Sequence, residues 1–430
     1  MMLTMLIPAT TLTPATMTDL EVGQDRFDAL EALARSLGTE IVSARQFHSE
    51  VTGQGITTGH ELELQSPDGS RGNHIVYLES NPSRTDLPGV FVLRDPATEA
   101  VMAMWLYPND PRLPTLATAV YPEAAAVLLK RLGFDPTGIT LEIVSYRPGK
   151  RAVVRVTVSA GTLYLKVVRP EVSALIRRRH ELWLESGIPV PGVLASAEGI
   201  VVLDRLPGVE AITLVPALAS DDGFLDALAE VVVRIAGIPS EAPARPSLVA
   251  RLDWYFGHLH ALAPASSAVI AAMKSNIQNL YRDGGPPPSV TIHGDLHLAQ
   301  IFVHPERPNQ IIGILDIDTA GFGDPADDAA ALFAHLLVTA EYRQAQGENS
   351  FADHARGLAE RSRQRWVGSV DRGFSARATA IAMTHLCGHA LSGSVTVARA
   401  LVLAGEVFAL YEDERALTAG YFVSHAADQG

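Results

Sequence analysis

An aspartate and an amide side chain five residues apart have the types and the spacing that phosphoryl transfer requires. Asp295 lies in a loop after the short apolar run Val290–Ile292, and Gln300 directly precedes the apolar run Ile301–Val303. Transfer of a phosphoryl group to a hydroxyl needs a carboxylate that orients the nucleophile and accepts its proton. It also needs oxygen ligands that hold Mg²⁺ on the phosphates. Asp295 fits the first role, and the amide oxygen of Gln300 fits the second.

A second carboxylate follows 21 residues later, at the end of another apolar run. We expect a strand over Ile311–Ile317 that projects Asp316 toward Asp295, because the separation is sufficient for one hairpin between them. The predicted turn of this hairpin is His304–Asn309. Asp316 is therefore the principal predicted Mg²⁺ ligand. Asp318 either assists as a ligand or accepts hydrogen bonds from loop amides, and the sequence leaves both roles open.

Other polar residues near these aspartates have simpler predicted roles. His293 and His297 are either metal ligands or hydrogen-bonding residues of the loop, and the second is favoured because no further His or Cys is suitably spaced. We predict that Asp324 orders the loop after Asp316, that Asp328 caps or anchors the following helix, and that Asp327 is solvated. Trp254 and Tyr255 either line an acceptor pocket or pack within a helix, and packing is the more common role.

The elements that carry these residues follow from turn signals and periodicity. Two hairpins are expected between Gly38 and Tyr107, followed by a helix over Pro122–Leu132 that stops at Gly133. Three strands are predicted over Leu141–Tyr146, Ala152–Val158 and Thr162–Val168. A helix over Glu171–Ser186 and a strand over Ile200–Asp204 come next, and the remainder is mostly helical. This order of elements predicts an α+β fold with two lobes.

The composition bounds the size and the class of the protein. The chain has 430 residues and a formal net charge of −14, from 34 Lys and Arg against 48 Asp and Glu, which disfavours a nucleic-acid partner. The single cysteine, Cys387, excludes an internal disulfide and is expected to be a buried thiol in a helix. We find no transmembrane segment and no basic flank of a signal peptide, so we expect a soluble, cytoplasmic protein.

The motif residues together resemble the aminoglycoside phosphotransferase superfamily, which has the protein kinase-like fold. The resemblance rests on His293-Gly294-Asp295-Leu296-His297, on Asp316, on Gly323-Asp324-Pro325 and on Asp328. This superfamily includes choline, homoserine, fructosamine and maltose kinases. The resemblance extends from Leu141 to about Leu336 and implies a five-stranded N-lobe followed by a mostly helical C-lobe.

The resemblance also implies which residues bind a nucleotide, ATP or GTP. Lys166 corresponds to the lysine that contacts the α- and β-phosphates. The segment Val202–Leu206, which includes Asp204, corresponds to the hinge that reads the base through its backbone. The loop from Arg147 to Arg151 would cover the phosphates, although it has only one glycine. The residues implied in nucleotide binding are Arg147, Gly149, Lys150, Arg151, Lys166, Asp204 and Leu206.

Two positions depart from the family pattern. Gln300 stands where most members have a metal-binding asparagine, although the maltose kinases have a glutamine in a similar run. Arg177 aligns with the helix glutamate that usually pairs with the lysine. Glu181, four residues further on the same helix face, is either the replacement partner of Lys166 or a solvated residue.

From these observations we predict four segments and a reaction. Residues 1–19 form a disordered leader, 20–135 an N-terminal α+β cap domain, 136–208 the N-lobe and 209–430 the helical C-lobe. Some maltose and glucosamine kinases have a cap of similar size. The predicted reaction is Mg²⁺-dependent transfer of a γ-phosphoryl group to a hydroxyl of a small molecule. The acceptor is an aminoglycoside or related amino-sugar or, alternatively, a neutral sugar; a nucleotide-binding pseudokinase is the third hypothesis.

Overall fold

The computed structural model describes residues 24–52, 55–95, 99–220, 222–240, 242–367, 369, 371 and 373–427. The predicted leader, residues 1–19, lies outside the described residues. The chain forms two compact units: the first contains the residues up to Arg178 together with Gly192–Arg205, and the second contains Arg179–Pro191 and the residues from Leu206 onward. The boundaries predicted at residues 135 and 208 stay predictions.

The first unit begins with a helix and an antiparallel sheet of five strands. These elements are α1 (Gln24–Ser36), β1 (Glu40–Thr52), β2 (Gly55–Gln65), β3 (Arg71–Ser80), β4 (Phe91–Arg94) and β5 (Val101–Leu106). The sheet order is β1-β2-β3-β5-β4. Both predicted hairpins are present, since β2 pairs with β3 and β4 with β5. Leu30 and Leu33 of α1 pack with Leu62 and Val76 in a small core.

A second five-stranded antiparallel sheet completes the first unit and confirms the predicted strands. Its order is β6-β7-β8-β10-β9. The elements of this part are α2 (Leu116–Val120), α3 (Pro122–Arg131), β6 (Thr140–Arg147), β7 (Arg151–Val158), β8 (Gly161–Val168), β9 (Val193–Ala197) and β10 (Ile200–Asp204). Helix α4 (Ser173–Glu185) begins in this unit, and its residues from Arg179 onward belong to the second unit. The predicted stop of α3 is also observed, because Gly133 follows it with a φ of 91°.

Alternation along β7 explains why this sheet forms. Ala152, Val154, Val156 and Val158 are buried, whereas Arg155 and Thr157 between them are exposed. Side chains of a strand point alternately to its two faces, so one face of β7 joins the core with Leu165, Val167 and Val202. Leu165 and Val167 of β8 point into this core, so Lys166 between them points to the other face of the sheet.

The second unit is mainly helical. Its helices are α5 (Val215–Leu218), α6 (Gly223–Ala236), α7 (Leu252–Leu262), α8 (Ser267–Asp283), α9 (Ala326–Ala345), α10 (Asn349–Val367), α11 (Phe374–Leu391) and α12 (Val397–Ala427). Its strands are β11 (Val209–Glu210), β12 (Val290–Ile292), β13 (Ile301–His304), β14 (Arg307–Ile314) and β15 (Gly321–Gly323). The strands form two small sheets, β11-β13-β14 and β12-β15, which frame the motif residues.

One continuous hydrophobic core supports the second unit. It includes Phe224 of α6, Phe256 of α7, Ile277 of α8, Phe333 of α9 and Ile381 of α11. Cys387 is fully buried in α11, as predicted. Together the two sheets and the helical region confirm the expected α+β, kinase-like fold class.

Among the described residues, no single helix has both the length and the apolar composition that crossing a membrane requires. Two consecutive segments, Leu248–Leu262 and Pro264–Asp283, meet this test only when they are taken together, and a bend of 118° separates them.

Candidate active site

The loop that carries Asp295 is fixed by a buried carboxylate on α9. Asp328 accepts hydrogen bonds from the backbone amides of His293 (2.8 Å) and Gly294 (2.7 Å). The predicted capping by Asp328 is therefore wrong, because both carboxylate oxygens bind amides of the Asp295 loop; through these bonds Asp328 anchors α9 to that loop. Gly294 has a φ of 83°, and a Cβ there would lie 2.7 Å from the carbonyl oxygen of Thr319. Glycine is required at this point by both the backbone conformation and the close approach.

The hairpin of β13 and β14 brings Asp316 back to this loop, as predicted. Ile301 pairs with Ile314, so the strand ends two residues before Asp316 and not at Ile317 as the sequence suggested. Asp316 itself has a φ of 57°, a left-handed conformation that Asp tolerates better than most residues. This turn ends the strand and starts a short 3-10 helix, Ile317–Thr319.

Hydrogen bonds connect the Asp295 loop to the Asp316 loop. The His293 ring donates from Nε2 to the carbonyl oxygen of Leu315 at 2.8 Å. The Thr319 hydroxyl donates to the carbonyl oxygen of His293 at 2.9 Å. His293 thus has the structural role that the sequence favoured. The electrostatic influence of both Asp295 and Asp316 on the pKa of His297 shows that the two carboxylates share one neighbourhood.

Gln300 has a buried side-chain oxygen that could hold a metal ion. Its backbone carbonyl accepts a hydrogen bond from the amide of Leu315 at 2.8 Å, which sets the side chain beside the Asp316 loop. Its side-chain oxygen Oε1 is buried and has no hydrogen-bond partner. A buried amide oxygen is rarely left unpaired, because desolvation without a partner is costly. Gln300 and Asp316 therefore fit Mg²⁺, which commonly takes one or two protein ligands and completes its shell with phosphates and water.

Within the described part of the chain, no group of three or more His, Cys, Asp and Glu side chains is arranged to hold a metal ion. This agrees with the reduced protein ligand set of a Mg²⁺ site that binds together with phosphates. Whether Asp318 assists as a ligand stays a prediction.

Arg245 is a residue of the site that the sequence analysis missed. It lies between α6 and α7, 50 residues before Asp295, and its guanidinium lies 3.1 Å from Asp295 Oδ1. Its backbone amide donates to the carbonyl oxygen of Thr319 at 2.9 Å, which places the side chain. Burial raises the pKa of Asp295, but Arg245 and the neighbouring histidines outweigh this effect and lower that pKa below its ordinary value. Asp295 is therefore ionised at neutral pH.

Arg179 of α4 binds the backbone of the loop that follows Asp316. Its guanidinium donates to the carbonyl oxygens of Ile317 (3.2 Å) and Asp318. Burial lowers the pKa of Arg179, and Asp318 partly opposes this shift. Arg179 lies 137 residues before Asp316 in a run of three arginines, so the sequence offered no signal that distinguished it from its neighbours.

Asp327 contradicts the prediction of a solvated residue. It is only 7% exposed, and its carboxylate accepts a hydrogen bond from the Ser247 hydroxyl at 2.7 Å. Burial raises the pKa of Asp327 to about 7, and Asp324 and Asp328 add to this effect against the Ser247 hydrogen bond. The folded protein therefore holds a proton on this carboxyl over a pH range in which the unfolded chain has lost it.

Asp327→Asn is expected to stabilise the protein above pH 7 by about 1–3 kcal/mol and to have little effect at pH 4 or below. Because the folded-state pKa is raised, the wild-type chain loses stability as the pH rises from about 4 to about 7, and asparagine removes that proton linkage. Thermal unfolding at several pH values measures this difference. The exposed Asp353, with a side chain that is 78% accessible, supplies the control Asp353→Asn, which should show no such pH dependence. If the stability of Asp327→Asn changed with pH in the same way as that of wild type, the raised pKa of Asp327 would be contradicted.

The residues implied in nucleotide binding have defined places. Lys166 lies on β8, is 5% exposed, and is paired in register with Val153 and Val201. Asp204 ends β10 and accepts a hydrogen bond from the Arg205 amide at 2.7 Å, whereas Leu206 is buried in the second unit. Beside Arg205, the first unit has a cavity of about 350 Å³ lined in part by Arg155 and Tyr164. The pairing of Lys166 with Glu181 stays a prediction.

The loop between β6 and β7 is bound by two acids from the N-terminal part of the first unit. Glu50 of β1 pairs with Arg147 (2.5 Å) and Lys150 (2.8 Å). Asp110 accepts hydrogen bonds from the Gly149 amide (2.6 Å) and from the Tyr146 hydroxyl (2.8 Å). Arg151, the last predicted residue of this loop, is the first residue of β7. Neither acid was predicted, because each is far from the loop in sequence.

The sequence matches the profile of the "Phosphotransferase enzyme family" over residues 146–365, just over half of the chain. No curated protein matches significantly. Similar solved structures include the aminoglycoside phosphotransferase APH(4)-Ia with ADP and hygromycin B (15% identity, 66% of this chain and 96% of that chain, TM-score 0.45). Aminoglycoside phosphotransferase APH(3'')-Id from Streptomyces rimosus is 19% identical, with 60% of this chain and 97% of that chain covered and a TM-score of 0.38. Macrolide 2'-phosphotransferase type I is 18% identical, with 66% of this chain and 96% of that chain covered and a TM-score of 0.41.

Proposed function

Because the chain belongs to the phosphotransferase enzyme family, we propose that it transfers the γ-phosphoryl group of ATP or GTP to a hydroxyl of a small molecule in the presence of Mg²⁺. The observation that carries this proposal is the buried, unpartnered Oε1 of Gln300 beside the loop of Asp316. Asp295 stands on the adjoining loop as an ionised carboxylate. The retained Lys166, Asp295 and Asp316 disfavour a pseudokinase.

In the proposed reaction, the side chains of the site mainly position the acceptor hydroxyl and the phosphates of the nucleotide. Asp295 accepts a hydrogen bond from the acceptor hydroxyl and takes its proton late in the reaction, since a carboxylate with a lowered pKa orients better than it abstracts. Gln300 and Asp316 would hold Mg²⁺, which when bound neutralises charge on the phosphates. Lys166 would contact the α- and β-phosphates as a point charge. Arg245 keeps Asp295 ionised and fixes its orientation.

The test is a coupled assay of ADP and GDP release with Mg²⁺. The panel contains aminoglycosides, amino-sugars, neutral sugars and macrolides, and Asp295→Ala is the inactive control. Acceptor-dependent release that is lost in the variant would support the proposal. Tight nucleotide binding without acceptor-dependent release from any compound would favour the pseudokinase.

The contact of Glu50 with Arg147 and Lys150 leads to a prediction about the nucleotide. Glu50→Gln should lower the KM for the nucleotide by about 2- to 5-fold, because both cations are then free to attract the phosphates, and such pairs contribute up to about 1 kcal/mol. Steady-state kinetics with varied nucleotide measures this change, which should shrink at high salt. The matched control is Glu61→Gln, because Glu61 on β2 is the exposed partner of Arg45 on β1. An unchanged or raised KM for Glu50→Gln would contradict the prediction.

A further inference from the structure

Four histidine rings gather on one side of Asp295 in the second unit. His297 comes from the catalytic loop, His335 from α9, and His385 and His389 from successive turns of α11. The rings of His297 and His335 stack with centroids 4.2 Å apart. The His335 ring lies 4.7 Å from that of His389 and 6.0 Å from that of His385. We call these four residues the imidazole cluster.

The cluster adjoins the proposed catalytic carboxylate. Asp295 influences the pKa values of His297, His385 and His389, and Arg245 influences those of His297, His335 and His385. Tyr255 of α7 borders the same space, because it packs against Gly388 of α11 and its pKa responds to Asp295. The cluster is therefore placed where an acceptor must lie if its hydroxyl is to reach Asp295.

The ring nitrogens of the cluster are open to a ligand. Within the described residues, none of the four rings takes part in a hydrogen bond, in contrast to His293, whose ring binds Leu315. None of their nitrogens is among the fully buried polar atoms that lack a partner. The nitrogens therefore reach accessible space without satisfying one another. The described histidines also fail to form a metal-binding group, so a metal ion does not account for this gathering.

The cluster is uncharged at neutral pH. Burial lowers the pKa of His385 to about 3 and that of His389 to about 4, and it also lowers the pKa values of His297 and His335. Each neutral imidazole then offers one N–H donor and one acceptor nitrogen. A hydroxyl group has the same combination of a donor with acceptor lone pairs, so four neutral rings match a compound with several hydroxyl groups.

Within the part of the chain that the structure describes, few carboxylates lie where they could bind an ammonium group at the cluster. The acidic residues that influence its pKa values are Asp295 and Asp316, both of which the proposed reaction uses. Elsewhere in the described helices of the second unit, Glu341 is bound by Arg356 and Arg399, and Glu360 by Arg363. The cation Arg245 acts on the pKa values of His297, His335 and His385 and lowers them. A polycationic aminoglycoside would meet this cation without the extra carboxylates that it needs.

We propose that the imidazole cluster is the acceptor site and that it takes an uncharged polyhydroxylated compound, a sugar or polyol, in preference to an aminoglycoside. This proposal rests on the proposed phosphotransferase function and names its substrate class. The hydroxyl that reacts lies at Asp295, and other hydroxyl groups of the acceptor exchange hydrogen bonds with the four rings. Among these rings His389 is the best position to change, because it is more accessible than His385.

Kinetics of His389 variants test the cluster as a binding site. His389→Phe keeps a planar ring but removes both nitrogens, and it should raise the KM for an uncharged sugar acceptor by about 5- to 20-fold with a smaller effect on kcat. The KM for the nucleotide should not change. His389→Gln, which keeps a donor and an acceptor, should recover part of the loss. His354→Phe, at a half-buried position of α10, is the control. An unchanged acceptor KM in His389→Phe would overturn the proposal.

A binding measurement separates this inference from the proposed reaction. The full-length Asp295→Asn protein, labelled with ¹⁵N at histidine, is titrated with glucose, maltose or kanamycin A in the presence of a nucleotide. Perturbation of the cluster's imidazole signals by an uncharged sugar, and not by kanamycin, is the expected result even if no phosphoryl transfer is ever detected. Perturbation by kanamycin alone, or by neither class at millimolar concentrations, would show that the acceptor class is wrong.

Discussion

Replacement of Asp295 by asparagine is expected to lower kcat by about 10²- to 10⁴-fold, the usual contribution of a positioned carboxylate base. The side chain keeps its shape and can still accept a hydrogen bond from Arg245, but it can no longer accept a proton from the acceptor hydroxyl. Because catalysis of phosphoryl transfer depends mainly on positioning and charge, the KM for the nucleotide should stay nearly unchanged. The loss should therefore appear in kcat and in kcat/KM for the acceptor.

The pH dependence of this reaction provides a second readout. The pKa of Asp295 is below its ordinary value of 3.8, so protonation of this carboxyl should reduce the rate only below about pH 4. Removal of the nearby cation in Arg245→Met should raise that pKa and move the acidic limb of kcat/KM toward neutral pH. An acidic limb that stays in place in Arg245→Met would disprove the electrostatic role of this residue.

Steady-state kinetics of Asp295→Asn should be compared with those of Asp253→Asn. Asp253 has a side chain that is 89% accessible and pairs with Lys274 at 2.7 Å, so its replacement changes the same formal charge outside the site. The control should retain wild-type kcat. Wild-type activity in Asp295→Asn would exclude Asp295 as the catalytic carboxylate and would remove the basis of the proposed reaction.

Local sequence patterns were sufficient to predict the elements around the site. The alternation of β7, the glycine after α3 and the apolar runs on both sides of Asp295 each depend on residues close together in the chain. The hairpin that returns Asp316 was predicted for the same reason, since one turn and two short strands explain its 21-residue separation. What these patterns determine is the backbone path of the site.

The residues that surround this backbone could not be predicted from local patterns. Arg245, Arg179 and Glu50 contact partners 50, 138 and 97 residues away, and charged residues at exposed-looking positions give no signal of such distant partners. One weak indication of the imidazole cluster was present in the sequence, because His385 and His389 lie four residues apart on one face of a predicted helix. The burial of Asp327 was missed because most acidic residues are solvated, and only the tertiary packing around this one shows that it is buried.

Replacement of Arg377 by methionine is expected to destabilise the protein by about 3–5 kcal/mol, the usual cost of leaving a buried charge without its partner. Arg377 is fully buried in α11, and its guanidinium donates to Asp324 at 2.8 Å, to the carbonyl oxygen of Gly284 at 2.8 Å and to Asp371. Methionine fills part of the volume but leaves the buried Asp324 uncompensated. The midpoint of thermal unfolding should fall by roughly 6–20 °C for a unit of this size.

The control for Arg377 is Arg365→Met, which removes a partly exposed ion pair with Asp226 at 2.8 Å and should cost less than about 1 kcal/mol. The double variant Arg377→Met/Asp324→Asn should recover part of the lost stability, because it also removes the buried negative charge. Equal effects of Arg377→Met and Arg365→Met would contradict the assignment. Asp324 lies eight residues after Asp316 and two residues before α9, whose Asp328 holds the loop of Asp295. Loss of Arg377 should therefore reduce kcat at temperatures below the unfolding transition, which connects this buried charge to the geometry of the proposed reaction.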